Sequence, residues 1–102
     1  MNKICVKFES ASKIISQKWV GLIIHQLLEG PKRFKDLEHE ISISSKVLSD
    51  KLRFLEQKGL IVRQVYPETP VRIEYQLTQK GFDLQPVMEA IEHWANKYYE
   101  KR

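Results

Sequence analysis

The side chains that could do covalent chemistry are few and poorly placed for it. Ser10 and Lys13 stand at a Ser-x-x-Lys spacing, the arrangement of certain serine nucleophiles, but no supporting motif follows and 102 residues are too few for that fold. His25, His39 and His93 lack metal-ligand spacing, and the single cysteine, Cys5, cannot complete a zinc site. No glycine-rich phosphate loop is present. No catalytic residue, metal site or cofactor is therefore expected. What remains is a set of hydrogen-bond donors. Ser45, Lys46, Ser49 and Arg53 fall close together, Lys32, Arg33 and Lys35 precede them, and Arg72 follows. Hydroxyl, ammonium and guanidinium groups in this mixture bond phosphate oxygens and the edges of bases.

Their spacing fits a helix running from Ser45 to Lys58. At roughly 100° per residue, Leu48, Leu52 and Leu55 share one face. The opposite face carries Lys46, Ser49, Asp50, Arg53 and Gln57. Ser44 is the expected N-cap, because its hydroxyl can accept a free first-turn N–H, and Gly59 is the expected stop. An apolar side anchors such a helix while the polar side enters a DNA major groove; an ordinary amphipathic helix with a solvated face has the same pattern. Asp50 repels phosphate, so it either accepts from a cytosine amine or pairs with Lys46 or Arg53.

The surrounding elements must hold this helix in place. Helices are expected over Phe8–Ser16 and Lys18–Glu29, the second with Trp19, Leu22, Ile23, Leu27 and Leu28 on its buried side and Gly30-Pro31 at its end. A short helix covers Phe34–Glu40, with Phe34, Leu37 and Ile41 facing inward. Leu60–Tyr66 and Val71–Leu77 read as two strands of a hairpin around Pro67-Glu68-Thr69-Pro70. Thr78 caps a last helix, about residues 79–99, in which Gly81 and Pro86 weaken the first turns. A short helix, a tight turn, a longer helix and a hairpin make a winged helix-turn-helix, mainly α with a small β wing, as a single domain over residues 1–102. Lys32, Arg33 and Lys35 flank the first helix of the motif, where contact with phosphate and a solvated edge are both open. Arg63 and Arg72 belong to the wing, which can approach the minor groove.

Net charge is +4 and the pI about 9.2. The basic excess lies before Tyr66 and the C-terminal third is slightly acidic, a distribution compatible with nucleic acid. No apolar run approaches the ~20 residues of a membrane span, and the N-terminus lacks a signal-peptide pattern. A cytoplasmic location is expected, and one unpaired cysteine agrees with it. The apolar terminal helices, about 8–16 and 79–99, exceed what one helix-turn-helix needs for support. They are expected to pack against a second copy, which places two reading helices one DNA turn apart on a pseudo-palindromic duplex.

Several runs taken together resemble the HxlR-type winged-helix regulators. They are Lys18-Trp19 with Leu22-Ile23, Leu28-Glu29-Gly30-Pro31-Lys32-Arg33-Phe34, Ile43-Ser44-Ser45-Lys46-Val47-Leu48-Ser49, Leu52-Arg53-Phe54-Leu55-Glu56 and Gly59-Leu60. The wing Val65–Val71 and Glu74-Tyr75-Gln76-Leu77-Thr78 through Gly81 continue the similarity, which spans Cys5 to about Trp94. The resemblance implies a bacterial transcription factor, usually a repressor, that binds double-stranded DNA as a homodimer through its terminal helices. It is nearest to the branch that senses quinones, electrophiles or oxidants, in which a cysteine at the position of Cys5 is the sensor. The chain departs from the family pattern at Val6, where proline is usual. It departs at Ser16 and Gln17, where glycines are usual, and at Asp50 and Lys51, where glutamines are common.

Lys3 and Lys7 flank Cys5, and positive charge beside a helix start favours thiolate. With no second cysteine in the chain, oxidation ends as a mixed disulfide with a small thiol, a Cys5–Cys5 bridge across a dimer, or an alkylated sulfur. A buried inert thiol is the other reading. Two further alternatives remain: a small ligand held in the dimer cleft by Trp19, Phe8 and the aromatics of the last helix, and a winged-helix protein-interaction module that binds no DNA.

Overall fold

A computed structural model describes the backbone of residues 3–100 and the side chains of residues 6–100. In chain order the elements are α1 (Lys3–Ile15), α2 (Val20–Leu27), α3 (Phe34–Ile41), α4 (Ser45–Gln57), β1 (Ile61–Tyr66), β2 (Arg72–Leu77), α5 (Gln79–Phe82) and α6 (Gln85–Tyr98). The chain is a winged helix-turn-helix: mainly helical, with one two-stranded antiparallel hairpin. Ile61 pairs with Leu77 at the base of that hairpin and Tyr66 with Arg72 near its tip.

One core gathers the middle elements. Val20, Ile23, Ile24 and Leu27 of α2 meet Leu37 of α3, Leu48, Leu52 and Leu55 of α4, and Leu60, Ile61 and Leu77 at the base of the hairpin. Ile43 closes the turn between α3 and α4 from below, and Met88 brings in α6. Pro31-Lys32 runs alongside β2. Lys32 N–H donates to the Tyr75 carbonyl at 3.0 Å and Tyr75 N–H returns the bond at 2.8 Å, so the link before α3 is stitched to the wing.

Four expectations need correction. Helix α1 begins at Lys3 rather than near Phe8, so the backbone of Cys5 lies in its first turn, and Phe8 is 73% exposed. Helix α2 is shorter than expected. Trp19 takes a left-handed conformation at its N-cap (φ 79°), and the helix rotates to bury Val20 and Ile24 while Leu22 stays 53% exposed. The segment Val20-Gly-Leu-Ile-Ile is apolar on every side, so periodicity could not choose the face. Leu28 packs only at the edge of the core.

The last helix is two helices. Thr78 caps α5, its hydroxyl accepting Gly81 N–H at 3.2 Å, and the chain turns at Asp83-Leu84 before α6. Gly81 lets α5 pack close against the hairpin. It presses against the Leu60 carbonyl and Leu77, where an added Cβ would collide with the carbonyl oxygen and lie 2.8 Å from Leu77 Cδ2. Pro86 sits in the first turn of α6, where no helical N–H is needed.

Candidate nucleic-acid interface

The reading helix is fixed at both ends. Arg33 N–H donates to Asp36 Oδ2 at 3.0 Å and starts α3; Ser42, at φ 52°, ends it. Ser44 then caps α4 as its sequence position implies, its Oγ accepting Val47 N–H at 3.3 Å. The Ser45 hydroxyl donates to the Glu38 carboxylate and ties the two helices of the motif together. At the far end Gly59 adopts φ 75°, a left-handed value open to glycine, and its N–H bonds the Glu56 carbonyl at 3.0 Å.

The wing is tied to that same end. Thr78 Oγ1 donates to the Gly59 carbonyl at 2.6 Å, Thr78 N–H donates to the Leu60 carbonyl at 3.0 Å, and Lys80 Nζ donates to the Lys58 carbonyl at 2.7 Å. The C-terminus of α4, the base of the hairpin and the start of α5 form one joint. The hairpin therefore keeps a set position relative to α4.

On the outer face of α4 stand Lys46, Asp50 and Arg53, with side chains 86%, 54% and 67% exposed. Asp50 pairs loosely with both cations: Lys46 Nζ lies 3.6 Å from Oδ2 and Arg53 Nη1 lies 3.8 Å from Oδ1. Ser49 is on the flank and half-buried. Lys51 points the other way, its Nζ donating to Gln17 Oε1 at 3.1 Å, while Gln17 Nε2 donates to the Lys13 carbonyl at 3.2 Å. One amide thus joins the end of α1 to α4. The two residues are 34 positions apart, and no local pattern in the sequence could have paired them.

The flanking cations divide into two kinds. Lys35 and Arg33 are exposed beside α3. Lys32 is held inward, Nζ donating to Glu29 Oε1 at 3.0 Å, and that bond keeps its ammonium pKa above the usual lysine range. Arg72 is held more firmly. Its Nε and Nη2 donate to the two oxygens of Glu68 at 3.3 and 2.9 Å, Nη1 donates to Glu74 at 2.7 Å, and its guanidinium lies 3.9 Å over the Tyr66 ring. The Arg72 donors push the Glu68 carboxyl below its ordinary pKa, and the Glu68 and Glu74 carboxylates in turn raise that of Arg72. Arg72 is thus the clamp of the wing, with most of its donors spent inside the hairpin. Arg63 is exposed on β1.

A second surface lies away from α4. Helix α6 touches the core through Met88 and its N-cap residue Leu84, and His25 Nε2 meets Glu92 Oε2 at 3.0 Å. Beyond that its apolar side is uncovered among the described residues: Ile91, Trp94 and Tyr98 are 53%, 57% and 63% exposed, and the Trp94 and Tyr98 rings lie tilted to one another with centroids 5.3 Å apart. An open groove of about 440 Å³ runs between α2 and α6, lined by Ile15, Trp19, Leu22, Met88 and Ile91. The radius of gyration is 15.1 Å, against about 13 Å for a compact chain of this length. The Cys5 thiol lies outside the described side chains. Among the described residues no cluster of His, Cys, Asp and Glu could hold a metal, and no helix is long and apolar enough to cross a membrane.

Residues 14–102 match the family of HxlR-like helix-turn-helix proteins. The chain belongs to that family. It is 47% identical over 100 residues to the HTH-type transcriptional regulator YodB of Bacillus subtilis, covering 97% of this chain and 89% of YodB. The solved reduced form of YodB superposes with a TM-score of 0.84 at 46% identity, covering 98% of this chain and 96% of that one. Diamide-treated YodB gives 0.80 at 46% identity, covering 98% and 100%. The redox regulator HypR in its oxidised form gives 0.85 at 30% identity, covering 93% and 99%. The winged-helix architecture and the family read from the sequence are those found.

Proposed function

We infer that this HxlR-family chain is a sequence-specific DNA-binding transcriptional regulator, a homodimeric repressor whose signal enters at Cys5. The observation that carries the DNA reading is the outer face of α4. A capped helix, locked to its wing at one end and to α3 at the other, presents Lys46, Asp50 and Arg53 to solvent with Ser45 and Ser49 beside them. Exposed Arg33 and Lys35 suit the phosphates on one side, and the wing suits the adjoining groove. The uncovered side of α6 supports the dimer, because no element among the described residues covers the exposed Ile91, Trp94 and Tyr98. Such a regulator works in the cytoplasm.

The signal rests on likeness. YodB is known in a reduced and a diamide-treated form, and Cys5 is the sole thiol here. Cys5 lies in the first turn of α1, where the helix dipole favours thiolate. Diamide takes two electrons and two protons from a pair of thiols, so in this chain the second thiol comes from a small-molecule thiol or from Cys5 of another copy. Helix α1 runs from Cys5 in its first turn to Gln17 just past its far end, where the Gln17–Lys51 bond joins it to the reading helix.

The test is binding to the intergenic duplex upstream of the protein's own gene, at two salt concentrations, with and without diamide. Expected is specific binding that weakens steeply with salt and is lost on diamide treatment, with Cys5→Ser immune to the oxidant. Binding that ignores salt removes the DNA reading in favour of a protein-interaction module. Binding that ignores diamide removes the thiol switch alone. In that case the groove between α2 and α6 favours a second signal, a small apolar ligand at the dimer seam.

A further inference from the structure

On α4 the core is marked by Leu48, Leu52 and Leu55. At 100° per residue, Asp50 points within roughly 15° of the direction opposite their mean. Lys46 and Arg53 lie to one side of that line and Ser49 well round the flank. Gln57 shares that direction but stands in the last turn; in the N-terminal half of the helix, where base contacts are made, the residue aimed most squarely at a groove occupied by α4 is thus a carboxylate. Its two ion pairs, at 3.6 and 3.8 Å, are longer than hydrogen bonds, so they steady the group without filling its lone pairs.

A carboxylate in a major groove has narrow choices. It accepts only, and phosphate repels it. Guanine offers O6 and N7 and thymine offers O4, all acceptors. Adenine sets its N7 acceptor beside its amine. Cytosine presents an amine with no competing acceptor. The guanine paired with that cytosine faces the same groove with two acceptors, which a neighbouring ammonium or guanidinium can fill. Lys46 and Arg53 flank Asp50 within 4 Å and supply such donors. Acid and base side by side therefore match the donor and acceptor edges of one G·C pair.

We propose that Asp50 is a specificity-determining residue that accepts from a cytosine amine in each operator half-site while Lys46 or Arg53 donates to the paired guanine. The proposal rests on the DNA reading above and names what that surface selects. The same carboxylate lowers attraction to DNA of any other sequence, because it meets acceptors and phosphate with like charge.

The experiment selects duplexes from a random pool with the wild-type protein, then measures affinity for the selected duplex and its single-base variants. Expected is a C·G pair at one position of each half-site, with about 5- to 150-fold loss when that pair becomes T·A. Asp50→Ala loses that preference and binds random duplex more tightly, whereas Asp50→Glu keeps the demand for cytosine. The substitutions are at an exposed position of a helix, and circular dichroism checks that both variants fold. An Asp50→Ala variant that selects the same base at every position overturns the proposal. So does one that weakens on all sequences alike, the mark of a residue that merely positions Lys46 and Arg53. A wild-type protein that selects no sequence overturns the DNA reading as well, and the two failures are told apart.

Discussion

Ser44 accepts the Val47 N–H at the first turn of α4, and Ala in its place leaves that donor without a partner. Ser44→Ala is expected to cost about 1 kcal/mol, read as a lower urea midpoint with an unchanged slope at a fixed protein concentration. Gly81→Ala is expected to cost roughly 1–3 kcal/mol, since its methyl meets a backbone carbonyl that cannot rotate away. A Gly81→Ala midpoint equal to the wild type's would show that α5 shifts freely on the hairpin. These two residues differ in how much the sequence says about them. Ser44 before a leucine-patterned run announces a cap. Gly81 reads only as a weak helix former, because the carbonyl it accommodates belongs to Leu60, brought there by the hairpin.

The wing is the element whose stability responds to acid. Glu68 is held below its ordinary carboxylate range by the Arg72 donors, while Arg72 stays charged throughout. A carboxyl with a depressed folded pKa contributes its stabilisation in full above the unfolded value, about 4.3, and loses it as pH falls through the folded value. The hairpin tip should therefore stay closed from neutral pH down to the ordinary carboxylate range and loosen only below it. Backbone amide exchange at Tyr66–Arg72 reads this, and Glu68→Gln should exchange faster already at neutral pH. Identical profiles for the two proteins would mean that the clamp does not hold the tip. The hairpin itself was legible from alternation and its two prolines. The clamp was not, because a loop glutamate and a strand arginine look like surface charge until the turn brings them together. Helix α2 failed in the opposite way: its sequence is too uniformly apolar to show a preferred face.

At the scale of the whole molecule, the homodimer proposed above would account for both the elongation and the bare face of α6. Ile91→Asp places a charge where only a partner would bury it. The variant should fold, sediment as a monomer at micromolar concentration and bind a two-half-site duplex on the order of 10²-fold more weakly, because the two half-sites are no longer engaged together. A dimeric Ile91→Asp would move the interface elsewhere. The sequence hinted at this surface through its excess of apolar terminal helix, although it placed Leu22 on a buried side that the isolated domain leaves open.

The same face has an optical consequence. The chain has two tryptophans, Trp19 and Trp94. Trp19 borders the groove, Trp94 lies one turn beyond Ile91 on the adjoining helix, and α3, α4 and the hairpin contain none. All of the protein's indole emission therefore originates on the side that would meet a partner or a small ligand, and none on the side that would meet DNA. Emission colour and quenching thus follow events at the seam, while the reading helix is spectrally silent.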